Sequence, residues 1–181
     1  MRRSLRIILG LTVAAWFLIA WSGQGLAAEE KGEGLAGIDL KVGSEPIRVS
    51  AKTLVWDHKE HKATFRYEVV ARQSDLTIHC DDLTIYFNQN DSDVTRLVSK
   101  GNVRIVQLDR RASCEEAVYD RAKNRIVLEG NPVLRQGENE VTGNRVIFYI
   151  AENRSVVEGG TDGRVKVTLI PERADSGNPV R

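Results

Sequence analysis

The chain has 181 residues, 41% of them hydrophobic and 28% charged, with 26 Lys and Arg against 25 Asp and Glu. This balance excludes a disordered polyelectrolyte and a multispan membrane protein. It also hides an asymmetry at the N-terminus. Arg2, Arg3 and Arg6 precede the apolar run Ile7–Trp21, 15 residues long, and small residues then lead to Gly25-Leu26-Ala27. A basic start, an apolar centre and a small-x-small site read as a secretory signal peptide over residues 1–27, cleaved after Ala27. A helix of 15 residues rises about 22 Å against a hydrocarbon core of roughly 30 Å, so a leader fits better than a permanent span. Cleavage removes three Arg and no acids, leaving 154 residues with 23 basic and 25 acidic side chains, a net charge of −2. No concentrated basic face remains for nucleic acid. The mature length holds one domain with a real core. Export also puts Cys80 and Cys114 in a compartment where disulfides persist.

Residues 28–44 are acidic and Gly-rich and read as a flexible lead-in to a domain over residues 45–170. Apolar and polar residues alternate in Ala63–Val69, Leu76–Cys80, Val103–Ile105, Arg145–Ile150 and Val165–Leu169, which predicts half-buried strands. No apolar stripe of helical period runs unbroken through the mature chain, so the fold class is all-β. Residues 171–181, with two Pro and one Gly, read as a tail.

The strands repeat. Ala51-x-x-Leu54-x-x-Asp57 aligns with Cys80-x-x-Leu83-x-x-Tyr86, Cys114-x-x-Ala117-x-x-Asp120 and Gly143-x-x-Val146-x-x-Tyr149, at spacings of 29, 34 and 29 residues. Each unit enters a polar turn, at Asp57–His61, Asn88–Asp93, Asp120–Asn124 and Ala151–Arg154. Three units close the following strand with a glycine step, at Gly101-Asn102, Gly130-Asn131 and Gly159-Gly160, where the first has Tyr67. A period near 30 residues implies stacked strand pairs, none able to bury its apolar face alone, with glycine where the backbone bends. Stacking gives a folded-over sheet of jelly-roll cross-section. Alternation assigns an inward row of Leu54, Trp56, Phe65, Tyr67, Val69, Leu76, Ile78, Leu83, Ile85, Phe87, Val103, Ile105, Tyr119, Ile126, Leu128, Val146, Phe148, Ile150, Val165 and Val167.

Candidate chemistry is sparse. His58 and His61 share a turn with Asp57 and Glu60, but the spacing suits zinc poorly and the other repeats carry ordinary polar turns there, so no metal is expected. His79 points outward by parity. The acid pairs Asp81-Asp82 and Glu115-Glu116 are consecutive, and neighbours in a strand face opposite ways, so neither forms a catalytic dyad. With no nucleophile in a recognisable setting, no enzyme and no cofactor are expected. Cys80 and Cys114 share a register in adjacent repeats, which leaves two buried thiols or a disulfide between neighbouring rungs as alternatives. The inward row is either a dry core or an acyl-chain groove, in which each methylene moved from water gains about 0.8 kcal/mol.

The phrases Gly101-Asn102-Val103, Ala117-Val118-Tyr119-Asp120, Leu128-Glu129-Gly130-Asn131-Pro132-Val133, Val141-Thr142-Gly143-Asn144-Arg145-Val146 and Val156-Val157-Glu158-Gly159-Gly160 carry a further signal in their order and spacing. Together they resemble the LptA/OstA-like family, and with the earlier repeats the match runs from Glu45 to Leu169. The resemblance implies an open, slightly twisted β-jelly roll of stacked antiparallel strands in the periplasm of a Gram-negative envelope. It implies a hydrophobic groove for the acyl chains of lipid A, walled by Phe65, Ile85, Phe87, Ile105, Leu128, Phe148 and Ile150. It further implies a bridge in outer-membrane assembly, joined through edge strands to an LptC-like inner-membrane protein and an LptD-like outer-membrane protein, with head-to-tail self-association. A membrane-anchored LptC-like component is the nearest alternative, and an envelope assembly module that binds no lipid is another. A carbohydrate-active enzyme on a stacked-strand scaffold would need convergent carboxylates, which the alternation does not supply. The chain offers no phosphate-binding loop, so the drive for transport must come from elsewhere.

Overall fold

The computed structural model describes residues 45–160 and 163–171. The expected leader 1–27, the lead-in 28–44 and residues 172–181 of the tail lie outside them. Twelve strands form one sheet: β1 (Arg48–Ser50), β2 (Thr53–Asp57), β3 (Lys62–Gln73), β4 (Leu76–Phe87), β5 (Val94–Gln107), β6 (Arg110–Asp120), β7 (Arg125–Glu129), β8 (Val133–Gln136), β9 (Asn139–Thr142), β10 (Arg145–Tyr149), β11 (Arg154–Glu158) and β12 (Lys166–Thr168). All pairings are antiparallel and the sheet does not close on itself.

The long strands β3 to β6 each cross a corner, and their pairing register shifts there, between Arg66 and Val69, His79 and Asp82, and Lys100 and Val103. The corner splits the sheet into two walls. The first wall stacks β2, the N-terminal half of β3, the C-terminal half of β4, the N-terminal half of β5, the C-terminal half of β6, then β7, β10 and β11. The second stacks β1, the remaining halves of β3 to β6, then β8, β9 and β12. Pairing aligns inner residues into rows along the stack. One row of the first wall runs Phe65, Leu83, Ser99, Ala117, Leu128, Val146, and the matching row of the second runs Ala71, Ile78, Ile105, Ala112, Leu134, Val141. These rows meet in a single core cluster.

Positive φ at the corners makes the bend. Gly101 and Asn102 stand at φ 73° and 48°, and Gly130 and Asn131 at 81° and 52°. Tyr67 and Glu68 form a similar left-handed pair, at 64° and 53°, so the first repeat bends as the others do without a glycine. The side chain of Asp81 covers Gly101 and that of Glu115 covers Gly130, leaving no room for a Cβ. Beside Tyr67 the chain instead crosses at Lys52, whose N–H donates to the Tyr67 carbonyl at 3.1 Å. This placement corrects the inward assignment of Tyr67, which is 60% exposed on the corner. A left-handed non-glycine residue costs about 1–2 kcal/mol, and glycine recovers this less its own chain-entropy cost of roughly 0.5–1 kcal/mol. Tyr67→Gly therefore raises stability by about 0.5–1 kcal/mol, a Tm gain of about 2 °C. Gly101→Ala lowers stability, because its Cβ strikes Asp81. Thermal denaturation of both variants checks the pair.

Outward residues of the first wall are organised by charge. Arg66 faces Asp82 at 3.8 Å, Lys100 faces Glu116 at 3.4 Å, and Arg145 bridges Glu129 and Glu158 at 2.9 and 3.9 Å. A second row sets Arg96 over Tyr86 and Arg154 over Tyr149. The long side chains of these two rows flank Val98, Val127 and Ile147, which are buried although they point away from the core.

Candidate apolar cleft and open edges

All seven residues expected to wall a groove belong to the inner cluster or pack against it, but they divide into two classes. Ile85, Ile105, Leu128 and Phe148 are sealed between the walls, with Leu128 at 0% exposure. Phe65, Phe87 and Ile150 are half-buried. Phe87 stacks on Trp56 of the edge strand β2, with ring centroids 5.1 Å apart.

The gap between the walls lies elsewhere. Near the N-terminal end of the stack an apolar cleft of about 50 Å³ is lined by Ile47 just before β1, by Ala71, Leu76 and Ile78 of the second wall and by Leu83 and Leu97 of the first, with Arg72 and Gln73 at its rim. That volume holds roughly four water-sized groups and not a whole acyl chain. Ile47 and Leu97 were not anticipated. Ile47 sits next to the acidic lead-in, and the strand start Val94-Thr95-Arg96-Leu97 is half polar, so neither segment shows a clean apolar period.

Both ends of the stack leave inner-face residues uncovered. On β2, Leu54 and Trp56 are 53% and 40% exposed, and on the last strand Val167 is 53% exposed. Their parity is as read from the sequence: Leu54 pairs with Phe65, Trp56 with Ala63 and Val167 with Val141. They are exposed because, among the described residues, no further strand covers them.

The remaining candidates are placed as follows. Cys80 and Cys114 are free and buried. They flank Val103 of the intervening β5, which pairs directly with Cys114, so of the two alternatives the structure has the buried thiols and not a neighbouring-rung disulfide. Two strand spacings amount to about 9.6 Å, beyond the roughly 7 Å limit on Cα separation. Burial pushes the Cys80 thiol up to about 11 and the Cys114 thiol up to about 12, which keeps both protonated and unreactive at neutral pH. Asp57 Oδ1 accepts from the N–H groups of Lys59 and Glu60 at 3.0 and 3.1 Å, and His61 Nδ1 lies 2.8 Å from Asp91 Oδ1 of the next turn. Those contacts tie successive turns together. His79 is exposed, opposite Arg104.

Comparison with known proteins follows the same outline. No curated protein matches the chain. The crystal structure of LptH from Pseudomonas aeruginosa, described as the LptA-homologous periplasmic component of the lipopolysaccharide transport device, superposes with a TM-score of 0.61. It is 20% identical, and the alignment covers 70% of this chain and 96% of that one, which establishes the shared open β-jelly-roll fold. The family model for the LptA/LptD N-terminal-domain lipopolysaccharide transport proteins matches residues 48–154, more than half of the chain. The chain belongs to that family of lipopolysaccharide transport proteins.

Proposed function

We propose that this protein is a periplasmic carrier that takes the acyl chains of lipid A between its two walls. It links an LptC-like protein at the inner membrane to an LptD-like protein at the outer membrane. The observation that carries the reading is the apolar cleft between Ile78 and Leu97, together with the inner-face residues left exposed on the edge strands at both ends of the stack. An acyl chain begins in the cleft and parts the walls as it advances, gaining about 0.8 kcal/mol per methylene withdrawn from water. Sugars and phosphates stay outside, where the walls do not meet.

Strand polarity supports the bridging role. Each wall contains an even number of stacked segments, eight, so its last strand runs opposite to its first. The β2 and β11 edges are each five residues long, and β1 and β12 are each three. A second copy, or a partner of the same fold, therefore continues both walls antiparallel and without a gap. Such a contact is head-to-tail and extends into rods. Partner names and export to the periplasm rest on the family and on the leader-like N-terminus.

The sealed state of Ile105 and Leu128 favours one other reading, an assembly module with a dry core. Photo-crosslinking separates the two. With benzoyl-phenylalanine placed in cells at Ile78, in the cleft, and at His79, on the outer face, we expect a lipopolysaccharide adduct at position 78 alone. No adduct at either position, from a folded and exported protein, would establish the dry module. An adduct at 79 alone would put the cargo on the outside.

A further inference from the structure

The inner face of the second wall changes chemistry on the rung farthest from the corner. Pairing lines up Gln73, Leu76, Gln107, Arg110, Gln136 and Asn139 across six neighbouring strand segments. Each stands two residues from a member of the apolar inner row, so alternation puts it on the same face. The corresponding rim of the first wall is apolar, with Phe87, Val94 and Ile150 packed against the core. The mouth between the walls thus has one apolar lip and one lip rich in amides.

The amide lip adjoins the cleft, which Gln73 and Leu76 help to line. Gln107 is 8% exposed and its Nε2 donates to both carboxylate oxygens of Asp75, at 3.2 and 3.3 Å. Gln73 Nε2 donates to the Glu45 carbonyl at 2.8 Å, and Asn139 Oδ1 accepts from the Ile170 N–H at 2.8 Å. The hairpin tips add Asp75, Asp109 and Glu138 against Arg110, so the lip is not built to attract an anion. A side-chain amide is neutral and both gives and accepts hydrogen bonds, which suits hydroxyl groups.

We propose that this amide row receives the sugar hydroxyls of an amphiphile whose acyl chain occupies the cleft. The inference rests on the acyl-chain reading above and adds the residues that receive the sugars. Successive strands stand about 4.8 Å apart, so a head leaving one amide meets another of the same chemistry one or two strands on. The row is a polar track beside the apolar one.

The test uses the full chain and two detergents below their micelle concentrations. Dodecyl maltoside carries hydroxyls, and dodecylphosphocholine carries the same alkyl chain without them. Binding is measured by calorimetry for the wild type, for Gln73→Met/Gln136→Met and for Gln136→Asn, each with its melting curve. We expect the wild type to prefer the maltoside by about tenfold. The double variant should lose about five- to tenfold for the maltoside and nothing for the phosphocholine, while Gln136→Asn keeps most of the preference. Equal binding of both detergents, unmoved by the double variant, would overturn the amide track and leave the cleft standing. A preference for phosphocholine would overturn it in favour of charged-head recognition. Binding of neither would overturn the acyl-chain reading and this inference with it.

Discussion

Mixing two variants that are each monomeric should produce a dimer and nothing larger. Continuing the first wall in register sets Val156 of β11 against Val55 of the next copy's β2, with Arg154 against Asp57 and Val157 against Leu54. Val55 and Val156 both point outward, so charges there spare the interior. Val156→Asp blocks the C-terminal edge and Val55→Asp blocks the N-terminal edge, each leaving an unpaired charge in the new strand pair, and two like charges face each other where both blocked edges meet. Such a charge costs about 3–5 kcal/mol when buried, a loss of roughly a hundredfold or more in association. Each variant alone keeps one intact edge that finds no intact partner. Together, the free C-terminal edge of Val55→Asp docks on the free N-terminal edge of Val156→Asp, and the chain stops at two because the remaining edges oppose aspartate to aspartate. Light scattering across a concentration series reads this directly. Wild-type protein should grow with concentration, either variant should stay monomeric, and the equimolar mixture should plateau at a dimer. A symmetric contact between two β2 edges predicts something different: Val156→Asp would still associate, and mixing would change nothing.

Alternation read the wall strands correctly at Phe65, Ile78, Leu83 and Phe148, because a strand with one buried face has a strict period of two. It failed where the backbone leaves that period. At the corner the left-handed pair Tyr67-Glu68 turns the Tyr67 side chain outward, and a tyrosine gives no local sign of positive φ. Gly101-Asn102 and Gly130-Asn131 do give that sign, so the later corners could be located from composition. The two cysteines are buried thiols rather than a disulfide for a topological reason. One repeat contains two strands, so residues in equal register in adjacent repeats lie two strands apart rather than side by side.

The open edges and the cleft were less legible still. Leu54, Trp56 and Val167 carry the same pattern as core residues, and alternation cannot tell a covered inner face from an uncovered one. Whether a gap separates two walls depends on side-chain volumes across the fold. Ser99 and Ala117 lie in the same inner row as Leu83 and Leu128, and no single-strand pattern reports how such a row packs against the other wall.

Stability and cargo binding should separate along that same division. Leu128 is fully sealed, so Leu128→Ala removes packed volume without touching the cleft and costs about 2–5 kcal/mol. For a domain of this size that is a fall of about 5–15 °C in Tm, with lipopolysaccharide binding retained by the fraction that stays folded. Ile78 is half-buried at the cleft, where a carboxylate keeps part of its water. Ile78→Asp should therefore melt close to the wild type, yet it puts a charge where the first methylenes must sit. At about 0.8 kcal/mol per methylene, excluding two or three of them lowers affinity by more than tenfold. Adduct yield from a crosslinker at Leu97, set beside the melting curve of each variant, gives both quantities. If Leu128→Ala abolishes binding at unchanged Tm while Ile78→Asp binds normally, acyl chains run through the centre of the stack and not through the N-terminal cleft. If both variants bind lipopolysaccharide as the wild type does, the cargo does not pass between the walls at all.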